Sequence, residues 1–476
     1  MRLTSLPYSP DSAAIFSTIA AEPWAVFLDS GIRHTHAGSE SGHFSGRFDI
    51  LAARPFITLQ TRGDSTEIRQ AGVSTFSCID PFDLLRRYLA VDAEPATLPF
   101  SGGAIGYFGY DLAGRIEPLA SHKVGASAAV PDMAVGIYDW AVVVDHEQQA
   151  SWLVGAERDE QTTLIWQDLV ALFSAPVLSV EQCCVNSPFR VGSVTCSFTP
   201  DAYRRAFARI QGYISAGDCY QVNLAQRFSA SVAGDHWLGY QTLRRLNPAP
   251  YSAYLNLPDV KILSSSPERF LSVRQGVVET RPIKGTRARA AKPEADIALA
   301  RELQVSEKDR AENLMIVDLL RNDLGKVCIS GSVEVPRLFE IETFATVHHL
   351  VSTITGRLAE GCDAIELLRA AFPGGSITGA PKLRAMQIID ELEPDRRGVY
   401  CGAIGWLGFN GDMNSNIAIR TLVSANNQIE FWAGGGIVAD SQVDAEYQEC
   451  MDKAEALLRL MRESGLGNQP SLNEGD

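Results

Sequence analysis

The chain has no Cys-x-x-Cys pair: nine cysteines, an odd number, are scattered from Cys78 to Cys450, with no Cys/His cluster at zinc-ligand spacing. This pattern excludes a zinc finger and a disulfide framework and predicts reduced, mostly core thiols; adjacent Cys183 and Cys184 fall in an irregular stretch and take no metal or redox role. No apolar run approaches transmembrane length, and Pro7, Pro10 and Asp11 break the apolar core that a signal peptide would need. The expectation is a soluble, cytoplasmic protein with no membrane partner. Cations are also in deficit, 42 Lys and Arg against 57 Asp and Glu, for a formal charge of -15. That balance argues against nucleic acid as a partner. An anionic small substrate would need local cations or a metal. Repeats and low-complexity tracts are absent, and only the last dozen residues read as disordered.

The 476 residues, 46% hydrophobic, suffice for a large core or for two to three domains. Residues 22 to 175 read as short strands with few helices: Trp24 to Leu28, Phe48 to Ala52, Gly103 to Tyr107 and Met133 to Val144 are apolar or alternating runs. A connector from about Ser174 to Ser197, with Pro176, Pro188 and Gly192, sets a boundary near 190 and suggests two halves. Thr199-Pro200-Asp201 then starts a helix with Tyr203, Phe207, Ile210 and Ile214 on one face; Gly217 ends it, and Tyr220 to Leu224 begins a strand. Further helices are predicted at 306 to 323, 363 to 372, 381 to 393 and 442 to 462, and strands at 401 to 409, 416 to 423 and 428 to 433.

Pro282-Ile283-Lys284-Gly285-Thr286 sets a lysine in a tight, weakly charged turn after the strand-like run Gly276 to Arg281. A lysine turns nucleophilic where burial or neighbouring cations depress its pKa, although an exposed lysine beside Arg281 and Arg287 is the plainer alternative. In Ser264-Ser265-Ser266-Pro267-Glu268-Arg269-Phe270, Glu268 precedes Lys284 by one hairpin's length, so the two make either a general acid with a nucleophile or a salt bridge. Asp309 and Glu312 on one predicted helix, and Glu446 and Glu449 on another, are each three apart and face one way. Brought together they would cage a hard cation, magnesium above all; alone they are solvated faces with ion pairs such as Glu449 to Lys453.

Gly374-Gly375-Ser376-Ile377-Thr378-Gly379-Ala380-Pro381-Lys382 leads into a helix whose free amides suit an anion. It is no nucleotide P-loop, since Ala380 and Pro381 separate the final glycine from the lysine; a carboxylate ligand or a structural turn remains. Ala433-Gly434-Gly435-Gly436-Ile437-Val438 follows an apolar strand and permits close approach to its amides, or marks a sheet bend. Arg420, in a predicted strand from Ile417 to Val423, offers a forked cation to a carboxylate or to a structural acid.

Together these motifs resemble the chorismate-utilising enzymes, a family that spans anthranilate, isochorismate, salicylate and aminodeoxychorismate synthases. The resemblance rests on Gly217-Asp218-Cys219-Tyr220-Gln221-Val222-Asn223-Leu224, Ser266 to Phe270, Glu312 to Leu319, His349-Leu350, the Thr378 to Lys382 turn, Ile419-Arg420-Thr421 and the Gly434 to Val438 run. Leu28-Asp29-Ser30, Arg47-Phe48-Asp49, Gly102 to Tyr107 and Tyr138-Asp139-Trp140 extend it over the N-terminal half. It implies one interlocked α+β fold, two large antiparallel sheets packed together with helices outside. Residues 1–185 then form an N-terminal region, 190–462 the chorismate-binding catalytic region and 463–476 a tail.

Within that family, isochorismate and salicylate synthases carry a water-activating lysine where this chain has Gln221, and anthranilate enzymes have alanine at the place of Lys284. The resemblance therefore implies conversion of chorismate and ammonia to 4-amino-4-deoxychorismate, the 4-aminobenzoate precursor of folate, with Lys284 as nucleophile and Glu268 as acid. Gln221, His349, Thr378, Tyr400, Arg420, Gly434, Gly435, Gly436 and Lys453 would bind substrate, and Glu312 and Glu449, with Glu446 and Asp309, would hold Mg2+. With no Gly-x-Cys-x-Gly elbow in the chain, a separate glutamine amidotransferase subunit would supply ammonia in a heterodimer. A tryptophan pocket is implied at Ser30, Ser45, Gly46, Arg47, Phe48, Pro250, Tyr251 and Ser252, holding tryptophan or empty; Asp29 departs from the residue more usual there. Anthranilate synthase, a pyridoxal-phosphate aminotransferase and a catalytically silent amino-acid-binding regulator are the alternatives.

Overall fold

The computed structural model describes residues 1–31, 46–92, 98–117, 119, 130–176, 187–344 and 347–465. Two antiparallel sheets dominate them. The first runs, edge to edge, Arg2–Leu6, Ala150–Gly155, Trp140–Asp145, Phe48–Ala52, Ala25–Asp29, Tyr251–Asn256, Lys261–Ser266, Thr421–Ala425, Gln428–Ile437, Gln221–Ala233 and Arg190–Val191. The second runs Ile283–Ala288, Val347–Arg357, Val277–Thr280, Arg269–Arg274, Met413–Ile417, Ala403–Gly408, Gly103–Phe108, Met133–Tyr138, Ile57–Arg62, Ser65–Gln70 and Val73–Ser77, with Glu334–Thr343 beside Val347–Arg357. Both sheets are built from strands on either side of residue 190.

Alternation along the strands explains the layering, because side chains at successive positions point to opposite faces. Val26, Ile50 and Ile262 of the first sheet meet Ile105, Tyr107 and Ile404 of the second in one apolar layer. The outer face of the first sheet is covered by helices Glu160–Ser174, His236–Leu246 and Val443–Glu463, which bury Trp166, Trp237 and Leu457. The outer face of the second is covered by Pro81–Leu89, Glu307–Gly325 and Ala364–Ala371 through Phe82, Ile316 and Leu368. Asp80, Ser306 and Asp363 cap those three helices by accepting backbone N–H bonds. No helix among the described residues is long and apolar enough to cross a membrane.

Two predicted elements are corrected by passages between the sheets, and a third passage joins them. The Met133 to Val144 run is two strands, Met133–Tyr138 in the second sheet and Trp140–Asp145 in the first, changing sheets at buried Asp139. The predicted strand 416 to 423 is likewise Met413–Ile417 and Thr421–Ala425, with Arg420 between them at φ 49. Lys261–Ser266 passes to Arg269–Arg274 through Pro267 and Glu268 in the same way. A helix not predicted, Pro293–Val305, precedes Glu307–Gly325, and the strand predicted to end at 433 runs through the glycines to Ile437.

Candidate active site

The two adjacent crossings, at Glu268 and at Arg420, deliver an acid and a cation to one end of the sandwich. Lys284 arrives from the strand Ile283–Ala288, so the predicted turn is a strand with an irregularity between Lys284 and Thr286. Gly285 sits there at φ 76, and a Cβ on it would come within 2.8 Å of Leu303 and 2.9 Å of Asp309. Val277–Thr280 and Ile283–Ala288 both pair with Val347–Arg357, and the hairpin from Arg269–Arg274 brings Glu268 opposite Ile283.

Ser376 joins the two groups. Lys284 Nζ donates to the Ser376 carbonyl at 3.3 Å, and the Ser376 hydroxyl donates to Glu268 Oε1 at 2.8 Å. Burial pushes the Lys284 amine below its ordinary pKa; Lys453 acts in the same direction, while Glu312, Glu268 and Glu449 oppose it. Burial raises the Glu268 carboxyl, against donation from Ser376, the charge of Lys284 and the Ile283 N–H. Both shifts favour the uncharged forms, amine and acid.

Around this pair stand most of the residues expected to bind substrate. His349 pairs with Thr286 across the strands, its Nδ1 2.9 Å from Thr286 Oγ1, and burial with the Arg420 charge lowers its pKa to about 4. Arg420 is half-buried, has no acidic counter-charge among the described residues, and its guanidinium donates to Asn247 Oδ1 at 3.4 Å. Thr378 is fully buried and donates to the Gly374 carbonyl at 3.1 Å. Gln221 is also buried, and neither end of its amide has a partner among the described residues. Tyr400 stacks on Trp432 at 6.1 Å and is pushed well above the usual phenol range by burial.

Gly434, Gly435 and Gly436 do not follow the strand but belong to it: they pair with Ala225, Leu224 and Asn223. Thr421–Ala425 stops short of them on the other edge, which leaves that edge open. A Cβ on Gly436 would lie 2.8 Å from Gln221 Nε2, and one on Gly435 would face Glu446 Oε2 at 3.2 Å and Glu449 Oε1 at 3.6 Å. The bare strand thus leaves room in front of two carboxylates.

Glu312 approaches the same place from the Glu307–Gly325 helix. Burial raises its pKa and that of Glu446, and the nearby charge of Glu449 adds to both. Lys453 holds Glu449 Oε1 at 2.7 Å and the Gly434 carbonyl at 3.2 Å, and Lys308 lies 3.9 Å from Glu312. No group of three His, Cys, Asp or Glu side chains converges as a metal site among the described residues. The donor set still suits a hard cation: Glu312, Glu446 and Glu449 supply carboxylate oxygens at mutual electrostatic cost, around space that Gly435 keeps clear. Asp309 is drawn aside by Arg287 at 3.1 Å.

Sequence reading did not single out Ser376, Lys308 or Arg287. Ser376 lay within a glycine-rich run read for its amides, and Lys308 was betrayed only by its four-residue spacing from Glu312.

A separate cavity is lined by Ser30, Phe48, Pro250, Tyr251 and Ser252 together with Asp29 and Trp406. Gly46 and Arg47 are not among its walls, Arg47 being held by Asp145 at 2.7 Å and Glu147 at 2.9 Å. Ser45 lies outside the described residues, as do Cys183, Cys184 and the tail from 466 onward.

Residues 41–459 match the family described as chorismate binding enzyme. The aminodeoxychorismate synthase component 1 of Klebsiella aerogenes is 48% identical over 464 residues, 96% of this chain and 98% of that protein. The anthranilate synthase component 1 of Pseudomonas aeruginosa is 37% identical over 96% of this chain and 95% of its own length. Among solved structures, anthranilate synthase component I from Streptococcus pneumoniae superposes with a TM-score of 0.75 at 34% identity, covering 89% of this chain and 94% of that one.

Proposed function

The chain belongs to the family of chorismate binding enzymes, and from that premise we propose that it is the synthase component that converts chorismate and ammonia to 4-amino-4-deoxychorismate. The observation that carries this reading is the half-buried Lys284 amine tied through Ser376 to Glu268. The greater identity to an aminodeoxychorismate synthase component than to an anthranilate synthase component supports it.

In the reaction, the neutral Lys284 amine attacks ring C2. The electron pairs of the diene shift, the C4–O bond breaks, and the departing hydroxyl leaves as water with the proton of Glu268. Ammonia then attacks C4, the double bonds shift back, and the C2–N bond to Lys284 breaks. Glu268, now a carboxylate, is restored by a proton from the incoming nitrogen. The sum is chorismate plus ammonia to aminodeoxychorismate plus water.

Arg420 and the open amides of Gly434 to Gly436 are suited to one substrate carboxylate, with Tyr400 alongside. His349 and Thr378 position the ring, and neutral Gln221 offers no base to a competing water. Glu312, Glu446 and Glu449 would hold Mg2+, which supplies Lewis-acid charge to the other carboxylate when bound. Lys453 organises Glu449 beside it. Ammonia would come from a glutamine amidotransferase subunit in a cytoplasmic heterodimer, and the Ser30 to Ser252 cavity would hold tryptophan or stand empty.

The test is product analysis. Wild type and Lys284→Ala are incubated with chorismate, ammonium and magnesium, and products are identified by mass. Wild type is expected to form aminodeoxychorismate and the variant to lose that activity; anthranilate with pyruvate from wild type, or an undiminished variant, overturns the reading.

A further inference from the structure

Ser376 occupies a single buried turn, Gly375–Ile377, between the Ala364–Ala371 helix and the Gly379–Ala380 strand. Its two polar groups face two different partners. The carbonyl accepts from Lys284 Nζ at 3.3 Å and the hydroxyl donates to Glu268 Oε1 at 2.8 Å. A neutral amine has one lone pair, so a fixed N–H bond limits where that lone pair can point. A carboxylic acid whose Oε1 already accepts a hydrogen bond keeps its proton on Oε2.

We propose that Ser376 is the positioning residue of the reaction: its carbonyl aims the Lys284 lone pair, and its hydroxyl presents the Glu268 proton on Oε2 and stabilises the carboxylate formed when that proton leaves. This inference rests on the reaction proposed above. The hydroxyl's contribution grows as Glu268 becomes charged, because a bond to an ionised acceptor is about twice as strong as one to a neutral acceptor. It therefore acts on the chemical step more than on binding. The neighbouring segment holds the turn in place independently of Ser376: Lys382 donates to the Ala371 carbonyl at 2.8 Å and pairs with buried Asp323 at 2.5 Å. Removing only the hydroxyl thus leaves the backbone carbonyl where Lys284 needs it.

The titrating and charged groups facing Glu268 are Lys284 from its own sheet, Lys453 from the C-terminal helix and Cys401 near Tyr400. Each of them remains in a Ser376→Ala variant, so a change in the pH profile reports the lost donor. Ser376→Ala is expected to lower kcat by about 10- to 100-fold, the loss of one hydrogen bond to a charged group. KM for chorismate should stay within about twofold of wild type, as for an interaction made only in the transition state. The alkaline limb of kcat, corrected for free ammonia, should move to higher pH, since a carboxylate without its donor holds its proton longer. Ser376→Thr keeps a hydroxyl and should recover both rate and profile.

Equal losses in kcat and KM in both variants, or a Ser376→Ala limb that does not move, overturn the proposal. Circular dichroism and thermal melting separate either result from misfolding; if Ser376→Ala does not fold, Ser376→Cys, a weaker donor of similar size, is expected to fall between alanine and wild type, and equality with wild type overturns the proposal. Product identity in wild type is read in the same assay, so failure of the reaction assignment shows as a different product and failure of this inference as an unmoved limb.

Discussion

Arg420 and Asn247 are the two ends of a contact that leaves a half-buried cation unneutralised: among the described residues the guanidinium reaches only the Asn247 amide oxygen, at 3.4 Å, and burial lowers its pKa with no acid there to oppose it. Asn247 in turn donates to Ser265 at 2.8 Å, which fixes it as a neutral anchor at the sheet crossing. This is the cation that the proposed reaction assigns to a substrate carboxylate. Arg420→Met is expected to lower kcat/KM for chorismate by about 10- to 100-fold, the range for one charge-assisted hydrogen bond. Arg420→Lys should recover little of it, because an ammonium cannot reproduce the fork. Steady-state kinetics against chorismate check both, and wild-type KM in Arg420→Met would remove Arg420 from the site.

The pH profile follows from two opposed shifts. Burial lowers the Lys284 pKa, so its amine is free at a lower pH than an exposed lysine's; burial raises that of Glu268, so it stays protonated at a higher pH than an exposed carboxyl. The proposed reaction needs both forms at once. Activity should fall on the acid side as Lys284 gains its proton and on the alkaline side as Glu268 loses its own. The measurement is kcat/KM against pH, normalised to free ammonia. A rate still climbing towards the ordinary lysine value of about 10.4 would show that Lys284 is not depressed.

Metal binding should depend unequally on the four acids. Glu446→Gln and Glu449→Gln are expected to weaken Mg2+ binding at least about tenfold, the scale set by losing one ligand or its support. Asp309→Asn should leave it nearly unchanged, because Arg287 draws Asp309 away at 3.1 Å. Lys308→Met should strengthen it, since the ammonium 3.9 Å from Glu312 competes for the same negative charge. Calorimetric titration of the protein with Mg2+, without substrate, reads all of these directly. A large loss in Asp309→Asn would place that carboxylate back in the cage.

The sequence made the site's components legible more readily than their framework. Lys284, Glu268 and the carboxylates were visible because each belongs to a local pattern, a hairpin or an i,i+3 pair on a helix. The sheet crossings at Asp139 and Arg420 were not, because these residues interrupt the runs without a glycine or proline beside them. Arg287 and Ser376 escaped for a further reason: their roles depend on partners 22 and 108 positions away in the chain. Glycines read as following the strand proved to be part of it, since periodicity says nothing where side chains are missing.

The wall of the separate cavity carries a buried ion pair whose removal should be costly. Asp29 is fully buried and its Oδ2 accepts from Arg244 at 2.7 Å and from Tyr240 at 2.9 Å, while Oδ1 accepts from the Gly31 N–H at 2.9 Å. Arg244→Met leaves that carboxylate buried without its counter-charge, for an expected loss of about 3 to 5 kcal/mol in unfolding free energy. Asp29→Asn in the same chain should restore much of it, since an amide needs no cation there. The pH dependence supplies an independent check. Burial already raises the Asp29 pKa despite Arg244, and losing the cation raises it further. A group whose folded pKa lies above its unfolded value favours the fold below the unfolded pKa, and that contribution is lost as pH rises through the folded pKa. The Arg244→Met deficit should therefore be largest at neutral pH and shrink on acidification as Asp29 takes up its proton. Urea denaturation of both proteins at several pH values measures the difference, and a deficit that grows towards acid pH would mean that the charge on Asp29 is not its cause.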